Sequence, residues 1–139
     1  RSRHLPHSVL PDVDVLVPNE HEAAAIIGGC AFDVDGAPEA ARRLRRTGVG
    51  SVVITMGAAG AYVSSPDQEG FVEAVKVKAV DTTAAGDAFT ASLACGIAEG
   101  SGVMDAARFA VRVAAISVTR MGAQSSLPSR EEVDRYQQL

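Results

Sequence analysis

The sequence predicts an α/β layer fold built on a mostly parallel sheet, and three observations carry that prediction. Two β-branched runs, Val13-Asp14-Val15-Leu16-Val17 and Ser51-Val52-Val53-Ile54-Thr55, read as short buried strands. Between and after them stand stretches of helical length and period. The junctions are short and rich in Gly and Pro, as expected where strands alternate with helices. Sheets of this kind bind ligands at the carboxyl ends of their strands.

Taken in order, the first strand is ended by Pro18, and Asn19 starts a helix that runs through Ile27 and is stopped by Gly28-Gly29. Pro38 suits a first helical position, Ala40, Ala41 and Leu44 form a narrow apolar stripe, and four arginines crowd the C-terminal half before Gly48 ends the element. After the strand at 51–55, Gly57-Ala58-Ala59-Gly60 makes a small-residue turn into a second short strand, Ala61-Tyr62-Val63-Ser64. The imperfect alternation of 71–77 predicts a more exposed strand. Residues 85–99 and 103–119 are mostly small or apolar and should form the two most buried helices. Ser129 caps a last amphipathic helix, with Glu131 and Glu132 in its first turn and Val133 and Tyr136 on one face.

With 139 residues, 47% hydrophobic and only 22% charged, the chain is the size of one domain with a real core and is not a disordered segment. A net charge of −4 without a basic block gives no footprint for nucleic acid. Asp87, Asp105, Arg108 and Arg112 interrupt the two best apolar stretches, so neither is expected to cross a membrane. The first seven residues lack the apolar stretch of a signal peptide, and the absence of an initiator Met suggests a trimmed or partial chain. Cys30 and Cys95 lie far apart in small or apolar surroundings, which suits reduced core thiols and a cytoplasmic setting. His4, His7 and His21 stand in polar contexts and form no convincing metal set.

The stretch richest in chemistry is Asp81-Thr82-Thr83-Ala84-Ala85-Gly86-Asp87-Ala88-Phe89, where a strand hands over to a helix. The first N–H groups of a helix have no intrahelical partner and the macrodipole adds roughly half a positive charge there, so a phosphate oxygen is accommodated. Ala84, Ala85 and Gly86 leave that backbone accessible, and Asp87 offers a proton acceptor from the first turn. On local chemistry alone, Asp87 reads first as a favourable first-turn acid. Asn19 with Glu22 serves equally as local structure, because Asn at the N-cap and Glu three residues on make a capping box. Gly57 to Gly60 taken singly is a turn. No G-x-x-x-x-G-K-[ST] or G-x-S-x-G occurs, which excludes a P-loop and leaves a hydrolase elbow unsupported.

The ordered combination is more specific. Val17-Pro18-Asn19-Glu20-His21-Glu22, then Ile54-Thr55-Met56-Gly57-Ala58-Ala59-Gly60, then Val80 to Phe89, resemble in order and spacing the C-terminal half of the ribokinase-type (PfkB) sugar kinases. The tail Val118-Thr119-Arg120-Met121-Gly122-Ala123-Gln124-Ser125-Ser126-Leu127-Pro128 looks like the ribokinase branch in particular. The resemblance covers residues 13 to 135 and implies a three-layer α/β/α fold, of which residues 1–139 would be the nucleotide-binding and catalytic half. The family's N-terminal sugar-binding half and its β-stranded lid are then expected to be missing. It further implies an ATP-dependent carbohydrate kinase, with phosphoryl transfer to the 5-hydroxyl of D-ribose as the first expectation. A non-catalytic nucleotide-binding fragment, fructokinase and 2-keto-3-deoxygluconate kinase stand as alternatives.

By the same resemblance Asp87 is the catalytic base that meets the sugar hydroxyl, and Ala84, Ala85 and Gly86 form the anion hole, with Ala84 standing where relatives commonly carry Gly. Asn19, Thr55, Met56, Gly57, Ala58, Ala59, Gly60, Gly86 and Asp87 would face the nucleotide, and Glu22 would help organise Mg²⁺ through water. Asp81, Thr83, Ser117, Arg120, Gly122 and Ser126 match positions that hold a monovalent cation, K⁺, with Arg120 contributing its carbonyl. Val111 departs from the His or Asn that relatives often place near the adenine. The implied partners are ATP and a small sugar, with no nucleic acid or membrane. A chain lacking half of the family's sheet is expected to self-associate or to depend on the missing half.

Overall fold

The computed structural model describes residues 6–78, 84–119 and 128–136, and the side chain of Tyr136 lies outside that description. The chain divides into two compact units, Arg1–Phe71 and Val72–Leu139.

In the first unit β1 (Val15–Leu16) is followed by α1 (Glu20–Ile27), α2 (Ala37–Arg45), β2 (Ser51–Thr55), β3 (Ala61–Ser64) and β4 (Glu69–Val72), in sheet order β1-β2-β3-β4. The sheet is mixed: β1 pairs with β2 in parallel, Val15 opposite Ser51, while β2 and β3 run antiparallel, Thr55 opposite Ala61. The reversal follows from the connection, since the few residues from Met56 to Gly60 can only turn the chain back on itself, whereas β1 reaches β2 through two helices. β1 covers only Val15–Leu16 of the expected 13–17, and Pro18, without an N–H for the ladder, follows its C-terminal end. The backbone pairing nevertheless extends past it on both sides: Gly50 N–H donates to the Val13 carbonyl at 3.0 Å and Thr55 N–H to the Pro18 carbonyl at 2.9 Å. Gly50 permits that approach, because a Cβ there would lie 2.7 Å from the Asp14 carbonyl oxygen.

Side chains alternate across β2. Val52 and Ile54 join Leu10, Leu44, Ala40, Ala41 and Ala23 in one apolar core, while Val53 and Val63, on the other face, are equally buried. The arginines of α2 stay outside that core, as its stripe of Ala40, Ala41 and Leu44 requires.

The expected strand at 71–77 is replaced by β4 at Glu69–Val72. Polar anchors set this register. Ser65 N–H donates to the Gln68 carbonyl at 2.9 Å, closing a tight turn, and the carboxylate of Glu69 accepts the Ser64 hydroxyl at 3.2 Å and meets the Tyr62 hydroxyl at 3.4 Å. Tyr62 and Phe71 then meet edge to face at 4.8 Å between ring centres.

The second unit is helical. α3 (Ala85–Ala98) and α4 (Val103–Val118) pack as a hairpin, and α5 (Arg130–Tyr136) closes on α4. Gly96 lets α3 approach α4, since an added Cβ would stand 3.0 Å from Ala106 Cβ. α4 is buried along its length, as expected, but α3 buries only Ala88, Phe89, Leu93 and Gly96. Cys95 is therefore exposed, and so is Cys30; both thiols are free, but neither is a core thiol, because Cys95 lies off the buried positions of α3 and Cys30 stands in the loop after α1. Ser129 caps α5 as expected, in a reciprocal pair with Glu132, and Val133 packs with Ala88, Val113, Ile116 and Phe109. Arg130 lies 4.7 Å over the Phe109 ring and 3.1 Å from Glu99. Among the described residues no helix is long and apolar enough to cross a membrane.

Candidate functional site

Two of the sequence elements meet at the carboxyl ends of β1 and β2. Asn19 is the N-cap of α1, its Oδ1 accepting the Glu22 N–H at 2.8 Å, while Glu22 Oε2 accepts the Asn19 N–H at 3.0 Å. The capping box expected from the spacing is thus present. Glu22 is exposed and keeps a second carboxylate oxygen, which has room for further hydrogen-bond donors. Asn19 also forms a parallel bridge with Thr55. That bridge places the start of α1 beside the start of the Thr55–Gly60 loop, a neighbourhood no local sequence signal announced. Its cause is the Thr55 bond to the Pro18 carbonyl.

The loop itself is a single 3₁₀ turn, Gly57–Ala59. Met56 N–H donates to the Gly60 carbonyl at 2.9 Å, and Gly57 and Gly60 take φ of 55° and 93°. Those angles lie in the region where a side chain is strained, which accounts for both glycines. Gly57, Ala58 and Ala59 are exposed, whereas Met56 and Gly60 are buried. The loop therefore offers its backbone to a ligand while its ends are held by the core.

In the second unit, Ala84 is the N-cap of α3 at φ −106°, ψ 6°, and no side chain caps it. Alanine is accommodated there because the backbone does not need the left-handed region. The Ala88 N–H bonds the Ala84 carbonyl at 2.9 Å, so the N–H groups ahead of it lie before the first intrahelical bond. Gly86 has open space where a Cβ would stand, and Asp87 is exposed on the first turn. Ala84 is buried, Ala85 half-buried and Gly86 exposed, so exposure increases along this turn toward Asp87; backbone donors with a carboxylate beside them can receive an anion and accept a proton.

Of the expected cation positions, Ser117 is buried in α4 at 1% exposure. Asp81, Thr83, Arg120, Gly122 and Ser126 lie outside the described residues. Val111 is buried on α4 at 8% exposure. No three His, Cys, Asp or Glu side chains cluster to hold a metal among the described residues. Glu22 is an exposed carboxylate, a hard oxygen donor of the kind Mg²⁺ takes, usually in small number and with several waters.

Comparison with known proteins gives concordant matches. The family described as pfkB family carbohydrate kinase matches residues 2–130. A ribokinase of Schizosaccharomyces pombe is 43% identical over 134 residues, covering 94% of this chain and 42% of the relative. A deoxyribokinase of Salmonella typhi is 40% identical over 137 residues, covering 99% of this chain and 45% of the relative. The structure of Arabidopsis thaliana ribokinase complexed with ribose and ATP superposes with a TM-score of 0.90 at 28% identity, over 100% of this chain and 45% of that one. The chain thus spans less than half the length of the proteins it matches.

Proposed function

This chain belongs to the pfkB family of carbohydrate kinases, and from that premise we propose that it carries the nucleotide-phosphate site and the catalytic base of an ATP-dependent pentose kinase acting on the 5-hydroxyl of D-ribose. The observation that supports the reading most is the start of α3, where uncapped backbone N–H groups and the exposed carboxylate of Asp87 stand together. In this reading residues 1–139 act as the family's C-terminal half, and sugar contacts come chiefly from its other half.

In the proposed reaction Asp87 takes the proton of the sugar hydroxyl as its oxygen attacks the γ-phosphorus. The backbone N–H groups of Ala84, Ala85 and Gly86 receive the charge that spreads over the phosphoryl oxygens, so the protein's part is positional and electrostatic. Asn19, adjoining Thr55, and the exposed turn Gly57–Ala59 would line the nucleotide. Glu22 would hold Mg²⁺ through water without giving up its cap, and that ion supplies neutralisation of phosphate charge. Ser117, with Asp81, Thr83, Arg120, Gly122 and Ser126, would form the K⁺ site. The free thiols Cys30 and Cys95 suit a reducing cytoplasm. β1 and β4 end the described sheet, and Phe71 on β4 is 47% exposed, which supports association with a second copy or with the family's other half. A chain that sediments as a monomer at micromolar concentrations argues against self-association.

A coupled ADP-release assay on the intact protein tests the main reading, with D-ribose, 2-deoxy-D-ribose and D-fructose, with and without K⁺. Ribose-dependent turnover that falls about 10²- to 10⁴-fold in Asp87→Asn, with ATP binding kept, is the expected result. A preference for 2-deoxy-D-ribose would move the assignment to the specificity named for the Salmonella relative. ATP binding without sugar-dependent turnover would make the chain a nucleotide-binding module and overturn the kinase.

A further inference from the structure

We propose a second binding site, for a small hydroxylated phosphomonoester, on the face of the first unit made by α2, β3 and β4. Arg42, Arg45 and Arg46 line a cavity of about 320 Å³ there together with Ser64 and Glu69. None of these residues takes part in the nucleotide reading.

The charge on its walls is unbalanced. Arg42 stands 3.9 Å from both Glu39 and Glu69, the outer limit of an ion pair, with all three side chains substantially exposed. Such pairs are weak and readily exchanged for a better acceptor. Arg46 makes no ion pair with any described residue. Arg45 spends one Nη on the Ser65 carbonyl at 3.2 Å, which holds its guanidinium against the β3–β4 turn.

Arginines near a helix C-terminus often do no more than offset the macrodipole. Here Arg42 O and Leu44 O at the end of α2 already accept the Arg46 and Thr47 N–H groups at 3.1 Å, so the arginines are not needed to cap them, and the planar fork of Arg matches a phosphate bidentately.

The opposite wall narrows the ligand class. Glu69 holds the Ser64 hydroxyl at 3.2 Å, and its carboxylate would repel a bare polyanion but accept bonds from ligand hydroxyls. The space is an open cleft along the α2 arginines, with Ser64 and Glu69 beside them. Among the described residues no aromatic side chain lines it to stack a nucleobase. A phosphate on the arginines with a hydroxylated carbon chain toward Ser64 and Glu69 meets both conditions.

Calorimetric titration of the intact protein with sn-glycerol 3-phosphate, inorganic phosphate and glycerol tests the proposal. Glycerol 3-phosphate should bind, inorganic phosphate several-fold more weakly, and glycerol not at all. Arg42→Gln with Arg46→Gln should weaken glycerol 3-phosphate about tenfold, as expected for lost charge-assisted hydrogen bonds. Arg46→Gln alone, at an exposed position, should give a smaller loss and guards against a folding defect in the pair. Glu69→Gln should strengthen inorganic phosphate and abolish the preference. The proposal is overturned if glycerol 3-phosphate does not bind at millimolar concentration, if inorganic phosphate binds with equal or higher affinity, or if the arginine variants bind undiminished, which would place the anion elsewhere.

Discussion

Glu22 Oε2 accepts the main-chain N–H of Asn19 at 3.0 Å, and Asn19 Oδ1 accepts that of Glu22 at 2.8 Å. The two residues proposed to meet nucleotide and Mg²⁺ are thereby locked to each other before any ligand arrives. Structure and function in this pair can be separated by substitution. Asn19→Ala removes the cap and should cost about 1 kcal/mol in urea unfolding. Glu22→Gln keeps an acceptor for the Asn19 N–H, so it should melt near the parent temperature while weakening the Mg²⁺ dependence of ATP turnover. Equal destabilisation by both changes would reduce the pair to a cap.

Gly60 sits at φ 93°, ψ −133°, with its carbonyl bonded to Met56 N–H. Gly60→Ala should destabilise by about 1–3 kcal/mol, because the substituted backbone must either hold a strained conformation or leave it. Chemical denaturation measures the loss; an unchanged midpoint would mean the turn relaxes freely.

Gly96→Val should cost about 1–3 kcal/mol by overpacking. Its Cβ would approach the Ala106 Cα at 3.3 Å as well as the Ala106 Cβ, so backbone rather than a flexible side chain must yield. A parallel Ala106→Gly change, which empties the facing position, should recover part of the stability in the double variant and identify the contact.

Burial raises the pKa of the Tyr62 hydroxyl above its ordinary value, and the nearby carboxylate of Glu69 pushes in the same direction. The unfolded chain therefore ionises first. The stabilisation is intact below about pH 10 and is lost as pH rises from there through the folded pKa. Tyr62→Phe should flatten the fall of melting temperature above pH 10. Identical slopes for parent and variant would sink the assignment.

Much of this was legible locally. Asn19, Glu22 and Gly28 mark α1 by cap chemistry, and Ser51–Thr55 and Ala61–Ser64 declare themselves by β-branching and a Gly-bounded turn. The failures are non-local. The register of β4 depends on Glu69 reaching Ser64 and Tyr62, which the alternation of 71–77 cannot reveal. The exposure of Cys95 depends on which face of α3 finds a partner. In the candidate site, each motif could be read from the sequence, yet the adjacency of Asn19 and Thr55 arises only when β1 pairs with β2 across two intervening helices. The arginine cavity likewise needs three elements to converge. The proposed K⁺ positions, apart from Ser117, fall outside the described residues.

That same β1–β2 pairing sets an order in time. The β2–β3 hairpin closes over a short turn, on the microsecond scale typical of hairpins, and pays little loop entropy. β1 can dock only after the chain through α1 and α2 has been gathered in, and its named strand contributes just Val15 and Leu16 to the ladder. The bridge from Asn19 to Thr55 is thus the product of a long closure, and amide exchange at Thr55, measured with and without ATP, should show whether a nucleotide spanning Asn19 and the Thr55 loop acts as a clasp on that seam.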